Sequence, residues 1–159
     1  MAVASVRILI VDDYEPWRRM VLTLLQEHSN WFVIGEASDG LEAVQKSKEL
    51  QPDLILLDIG LPRLNGIEAA RQICQIVPRS RILFLSENLC PEVVREAFCI
   101  GAWGYVVKSD AAHELLAAME AVIGDKQFVN NRFASCNSAQ SSDAQTVHLT
   151  KHAVQARGR

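Results

Sequence analysis

Three aspartates, a serine and a lysine stand where this chain could do chemistry. Asp12 and Asp13 follow "RILIV", Asp58 closes "LILLD", Ser86 closes "RILFLS" and Lys108 closes "GYVVK". Each ends a short apolar run that reads as a strand. A carboxylate in that position is costly unless it is paired, metal-bound or used. If the runs lie side by side and parallel, all of these groups meet at one edge. Carboxylates in one crevice repel and raise each other's pKa unless a cation intervenes. Hard oxygen ligands with a few waters suit Mg²⁺. Lys108 adds a mobile cation, and Ser86 a short hydroxyl donor. The set is arranged for phosphoryl transfer. A carboxylate attacks phosphorus in line, Mg²⁺ and the ammonium neutralise the equatorial oxygens, and an aspartyl phosphate results.

The elements that must position these residues alternate along the chain. Strands are expected at Val6–Val11, Trp31–Ala37, Leu54–Asp58, Arg81–Ser86 and Gly104–Lys108. Helical periodicity follows each: Pro16–His28, Ser38–Leu50, Asn65–Val77, Pro91 to about Gly101, and Asp110 to Gly124. Pro16 suits a first helical turn, where its missing N–H is not needed. The second helix places Leu41, Val44 and Lys48 on successive turns. The third puts Ile67, Ala70, Ile73, Cys74 and Val77 on one face. Near-continuous apolar strands alternating with helices argue an α/β parallel sheet covered on both faces. Ligands in such sheets sit outside the carboxyl ends of the strands, so Asp58 is expected to face a crevice rather than the core.

The 159 residues suit one domain with a tail, and 49% hydrophobic content allows a sizeable core. A net charge of -3 does not favour nucleic acid or anionic membranes as partners of the body. No apolar run approaches the length of about 20 residues that spans a bilayer, and no signal peptide is evident. Cys74, Cys90, Cys99 and Cys136 form no C-x-x-C pair and read as reduced cytosolic thiols. After about Phe128 the composition turns polar. Residues 130–159 carry Arg132, Lys151, Arg157 and Arg159 against the single acid Asp143. They read as a C-terminal extension with at most a short helix from Asp143 to Val154.

The motifs "ILIVDD", "LILLDIGLPRLNGIEA", "FLS" and "GAWGYVVK" together resemble the receiver domain of two-component response regulators, from about Val6 to Val129. The resemblance implies a flavodoxin-like (βα)5 fold, a doubly wound five-stranded parallel sheet in the order 2-1-3-4-5. It implies a phospho-acceptor domain rather than an enzyme, cytoplasmic, taking its phosphoryl group from a sensor histidine kinase or a phosphotransfer protein. By that resemblance Asp58 is the acceptor and Lys108 the partner lysine. Mg²⁺ would be held by Asp13, Asp58, the Gly60 main-chain carbonyl and, through water, Asp12. Ser86 would be the switch hydroxyl that follows the phosphoryl group inward. Tyr105 would turn into the space it leaves and re-shape the surface of helix four, strand five and helix five. Gly60, Glu87 and Asn88 fall where such domains tune the lifetime of the aspartyl phosphate.

The chain departs from that pattern at three places. Ser109 stands where proline often follows the lysine. Glu87 replaces the usual small residue after the switch hydroxyl and could narrow or repel access to the site. The extension lacks paired apolar helices, so no DNA-binding output domain is expected. Output is then expected through an unidentified downstream protein, with a homodimer also possible. Glu87 alone motivates an alternative, a pseudo-receiver that binds partners without phosphate. Phosphatases of the haloacid dehalogenase type also form an aspartyl phosphate, but with a D-x-D pattern on strand one, whereas Asp12 and Asp13 are adjacent. No G-x-G-x-x-G follows strand one to suggest a nucleotide site. Trp17 and Trp103 read as packing residues.

Overall fold

The structure is a computed structural model that describes residues 4–87, 89–130 and 133. Strands β1 (Val6–Val11), β2 (Trp31–Ala37), β3 (Leu54–Asp58), β4 (Arg81–Ser86) and β5 (Gly104–Val107) alternate with helices. The helices are α1 (Glu15–Leu25), α2 (Gly40–Leu50), α3 (Gly66–Ile76), α4 (Pro91–Ile100) and α5 (Ala111–Ile123). The strands form one parallel sheet in the order β2-β1-β3-β4-β5-β6. The expected order 2-1-3-4-5 is therefore observed. The sixth strand, β6 (Phe128–Val129), is an addition, pairing two residues with Gly104 and Tyr105. Two residues carry too little period to announce a strand from sequence.

Both faces of the sheet are covered, which explains the near-continuous apolar strands. Val6, Ile8, Ile10, Leu54, Leu56, Leu83, Leu85 and Val106 pack with Val21 and Leu25 of α1 and Leu115, Met119 and Val122 of α5. The alternate residues Leu9, Ile55, Leu57, Ile82 and Phe84 are buried as well, as the period of two requires. Each such side chain contributes roughly 1.5–3 kcal/mol on burial. A sheet edge that exposes charge is thus held by a core far larger than any single defect.

Local signals set the helix starts. Asp39 accepts from the Glu42 amide at 2.8 Å and Asn65 from the Glu68 amide at 2.9 Å, so both cap their helices. Pro16 and Pro91 lie in first turns. Two expectations change. Helix α1 ends at Leu25 rather than His28, and the His28 ring instead stacks on Trp31 at 3.9 Å. The inward face of α2 is Gly40, Ala43 and Ser47, and Leu41 is exposed. A Cβ on Gly40 would lie 1.8 Å from the Leu64 carbonyl oxygen, so close backbone approach selects the face, not hydrophobicity. Lys108 begins a short 3-10 turn, Lys108–Asp110, just past β5.

These elements belong to one compact unit that ends at Val129. Beyond it the structure describes Asn130 and Phe133, whose amide donates to the Asn130 carbonyl at 2.9 Å. The expected helix from Asp143 to Val154 lies outside the described residues. Cys74, Cys90 and Cys99 are free thiols. Among the described residues, no helix is long and apolar enough to cross a membrane.

Candidate functional site

Strand register builds the site. Val11 pairs with Leu57, so Asp12 arrives beside Asp58. Asp58 pairs with Leu85, so Ser86 follows it, and Ser86 pairs with Val107, which places Lys108 next. One carboxylate oxygen each from Asp12, Asp13 and Asp58 lies within 4.8 Å of the others. Lys108 Nζ donates to Asp12 Oδ2 at 2.6 Å, and stands 3.4 Å from Asp58 Oδ1 and 3.8 Å from Glu87 Oε1. The strand-end residues singled out from the sequence therefore meet at one edge. Asn88 lies outside the described residues.

Their burial is graded. Asp12 is 1% exposed and Asp58 5%, whereas Asp13 is open to solvent and the Glu87 side chain is 76% exposed. Each Asp12 carboxylate oxygen has a donor, Lys108 for one and the Tyr14 amide at 2.8 Å for the other. Burial pushes the Asp58 pKa up, and the Asp12 charge pushes it the same way, while Lys108 and the Gly60 amide oppose them. The Lys108 pKa is also raised. Burial, its largest single influence, works against the charge, but the Asp12 hydrogen bond and the charges of Asp58 and Asp12 together outweigh it. The two shifts favour opposite charge states: burial prevails at Asp58, whereas the neighbouring carboxylates prevail over burial at Lys108. Three hard carboxylate donors at this separation fit a small divalent ion such as Mg²⁺.

A cavity of about 430 Å³ opens over these groups and is shared by Asp13, Asp58, Ser86, Glu87, Tyr105 and Lys108. Tyr105 is fully buried, shares a hydrogen bond with Ser86, and has its pKa raised chiefly by burial. Tyr105 thus lies inward in this structure, with Ser86 beside it. Gly60 turns its amide toward the Asp58 carboxylate, and a Cβ on it would come only within 3.9 Å of Asp58 Oδ2.

Other contributors were not read from the sequence. Arg18 donates to the Asp12 carbonyl at 2.7 Å and to Glu36 at 3.0 Å, fixing the loop after β1. Gly66 packs onto the acidic strand itself, since a Cβ there would lie 2.0 Å from the Asp58 carbonyl oxygen. Its signal was a glycine directly after a helix cap, an unfavourable helix residue that earns attention only through close approach. Trp17 lies beneath the Lys108 ammonium. No local pattern announces that contact.

Comparison with known proteins bears on the same residues. A family model for the response regulator receiver domain matches residues 8–120. The chain is 36% identical over 116 residues to the transcriptional regulatory protein LiaR of Bacillus subtilis, covering 73% of this chain and 55% of that protein. It is 38% identical over 116 residues to the chemotaxis protein CheY of Thermotoga maritima, covering 73% of this chain and 96% of that one. The crystal structure of a LuxR-family two-component response regulator from Aurantimonas sp. SI85-9A1 superposes with a TM-score of 0.82 at 32% identity, covering 87% of this chain and 99% of the other. The chain thus spans about half the length of LiaR but nearly all of CheY.

Proposed function

This chain belongs to the response regulator receiver domain family, and we propose that it is a phosphorylation switch whose acceptor is Asp58. The observation that carries the reading is the approach of Lys108 Nζ to both Asp12, at 2.6 Å, and Asp58, at 3.4 Å, in a cavity open to solvent. A carboxylate held near a cation and other acids is poised to accept an electrophilic phosphorus. A carboxylate oxygen of Asp58 forms the new O–P bond while the bond from phosphorus to the donor breaks. The donor's imidazole nitrogen, or the acetate oxygen of acetyl phosphate, leaves with the electron pair. Asp13, Asp58, the Gly60 carbonyl and, through water, Asp12 would hold Mg²⁺, which supplies charge to offset that on the phosphoryl oxygens. Lys108 pairs with one of those oxygens and Ser86 donates to another.

The switch follows from the Ser86–Tyr105 pair. When the Ser86 hydroxyl turns to a phosphoryl oxygen, Tyr105 loses that partner. Tyr105 is in β5, so the change is felt where β5 meets α4 and α5. Glu87 and Gly60, which line the cavity, tune the rate, and Asn88 is assigned the same role from its place in the sequence. The partners are a sensor histidine kinase or phosphotransfer protein upstream and a protein downstream. Second copies of the chain could share that surface as a homodimer. The chain is read as a phospho-acceptor, at work in the cytoplasm, rather than an enzyme acting on a separate substrate. Residues 1–129 are assigned to the receiver and 130–159 to a C-terminal extension.

Intact-mass spectrometry after incubation with acetyl phosphate tests the reading. Wild type gains one phosphoryl mass only when Mg²⁺ is present, and Asp58→Asn gains none. Labelling of Asp58→Asn at the wild-type rate would move the acceptor elsewhere.

A further inference from the structure

We propose that Trp17 is a positioning residue for Lys108, its indole face holding the ammonium in place beside the carboxylates of Asp12 and Asp58. The inference rests on Asp58 being the acceptor and adds a part on α1, away from the strand ends. Lys108 Nζ lies 5.1 Å from the centre of the Trp17 ring. That is within the roughly 6 Å over which the negative face of an aromatic ring attracts a cation. The Lys108 side chain is 9% exposed, so little water competes for the contact. A lysine ammonium is a compact charge on a flexible four-carbon stem, and carboxylates alone leave it several positions. A ring restrains it differently from a fourth carboxylate. It favours one position without neutralising the charge, which stays available to an anion arriving at Asp58.

The indole's own polar atom points the same way. Trp17 Nε1 is buried and has no hydrogen-bond partner among the described residues. A buried tryptophan N–H usually finds an acceptor, and leaving it unpaired opposes folding. The ring is therefore placed by what its faces touch, which are the apolar core and the Lys108 ammonium. Its neighbour Arg18 donates to the Asp12 carbonyl. Adjacent residues in the first turn of α1 thus address the two partners of one ion pair.

Two substitutions in the full chain separate ring chemistry from bulk. Trp17→Leu keeps an apolar side chain and removes the ring, and Trp17→Phe keeps an aromatic face. With acetyl phosphate and Mg²⁺, Trp17→Leu is expected to take up label about three- to tenfold more slowly, and Trp17→Phe to recover most of the rate. A Leu variant as fast as wild type, or a Phe variant as slow as the Leu variant, overturns the proposal. Tryptophan emission tests the contact without phosphorylation, and also decides the matter if Trp17→Leu fails to fold. Lys108→Met should alter the emission of the wild-type background and leave that of Trp17→Phe unchanged. Equal changes in both backgrounds, or none in either, overturn the proposal. Wild type that takes no label counts against the acceptor reading instead, and the emission result then stands alone.

Discussion

Where the strands begin, charge closes onto the scaffold, and where they end, charge is pooled. At the first edge the Arg7 amide donates to Asp53 at 2.8 Å, and its guanidinium donates to the Gln51 carbonyl at 2.9 Å. Arg81 reaches the Val122 carbonyl and the Asp125 carboxylate, and lies 4.4 Å over the Trp103 ring. At the second edge Asp12, Asp13 and Asp58 crowd together, and Lys108 serves two of them. The difference separates stabilising from functional electrostatics. Paired groups at the first edge have little left to offer a ligand. Like charges at the second edge keep an unmet demand for cations, which is the condition of a binding site. In open parallel sheets generally, ligands sit outside the carboxyl ends of the strands.

Breaking the lysine should show the contrast most strongly. Lys108→Met leaves Asp12 and Asp58 buried together without their shared cation, and should cost about 3–5 kcal/mol in urea unfolding. The raised Lys108 pKa adds a sign. Its charged form is favoured in the fold, so its contribution is full at neutral pH and is lost as pH rises through the raised value. Wild-type stability should therefore fall at alkaline pH more steeply than that of Lys108→Met. A parallel decline in both would refute the pairing.

At the opposite edge, Arg81→Ala should cost about 1–2 kcal/mol through its lost hydrogen bonds and ring contact, with acetyl phosphate labelling unchanged. Labelling that falls with stability would erase the division between the edges. Asp58→Asn should reverse the sign and raise the melting temperature at neutral pH, because burial disfavours the native carboxylate. Since the folded pKa is raised, that gain should fade as pH falls through the acid range, where Asp58 is neutral in both states. A melting temperature lowered by Asp58→Asn would show that the carboxylate is net stabilising. The smallest effect is expected from Glu87→Ala. Glu87 is exposed and 3.8 Å from Lys108, so its removal should leave stability unchanged and speed labelling by a factor on the order of two.

Legibility from sequence followed the same division. Asp12, Asp58, Ser86 and Lys108 could be placed because each ends a strand, and strand ends in a parallel sheet share an edge by topology alone. The third helix's face was legible because Ile67, Ala70, Ile73, Cys74 and Val77 recur at helical spacing; Cys74 is half-buried and the other four are buried. The face of α2 was not, because small residues buried by close approach carry no hydrophobic period. The two-residue β6 likewise gave no signal.

What the sequence by itself determined was the order of elements and the identity of the groups at the strand ends. Apolar runs and helical spacing are local patterns, and local patterns survive without coordinates. What only the tertiary structure decided was which side chains meet across elements. The Trp17 ring beneath Lys108, the Arg18 guanidinium on the Asp12 carbonyl, and Gly66 against the back of Asp58 each join residues from different elements. The inward position of Tyr105 is of the same kind. Such contacts depend on how a helix is rotated and how closely it packs on the sheet, and packing is a property of the whole core rather than of any one segment.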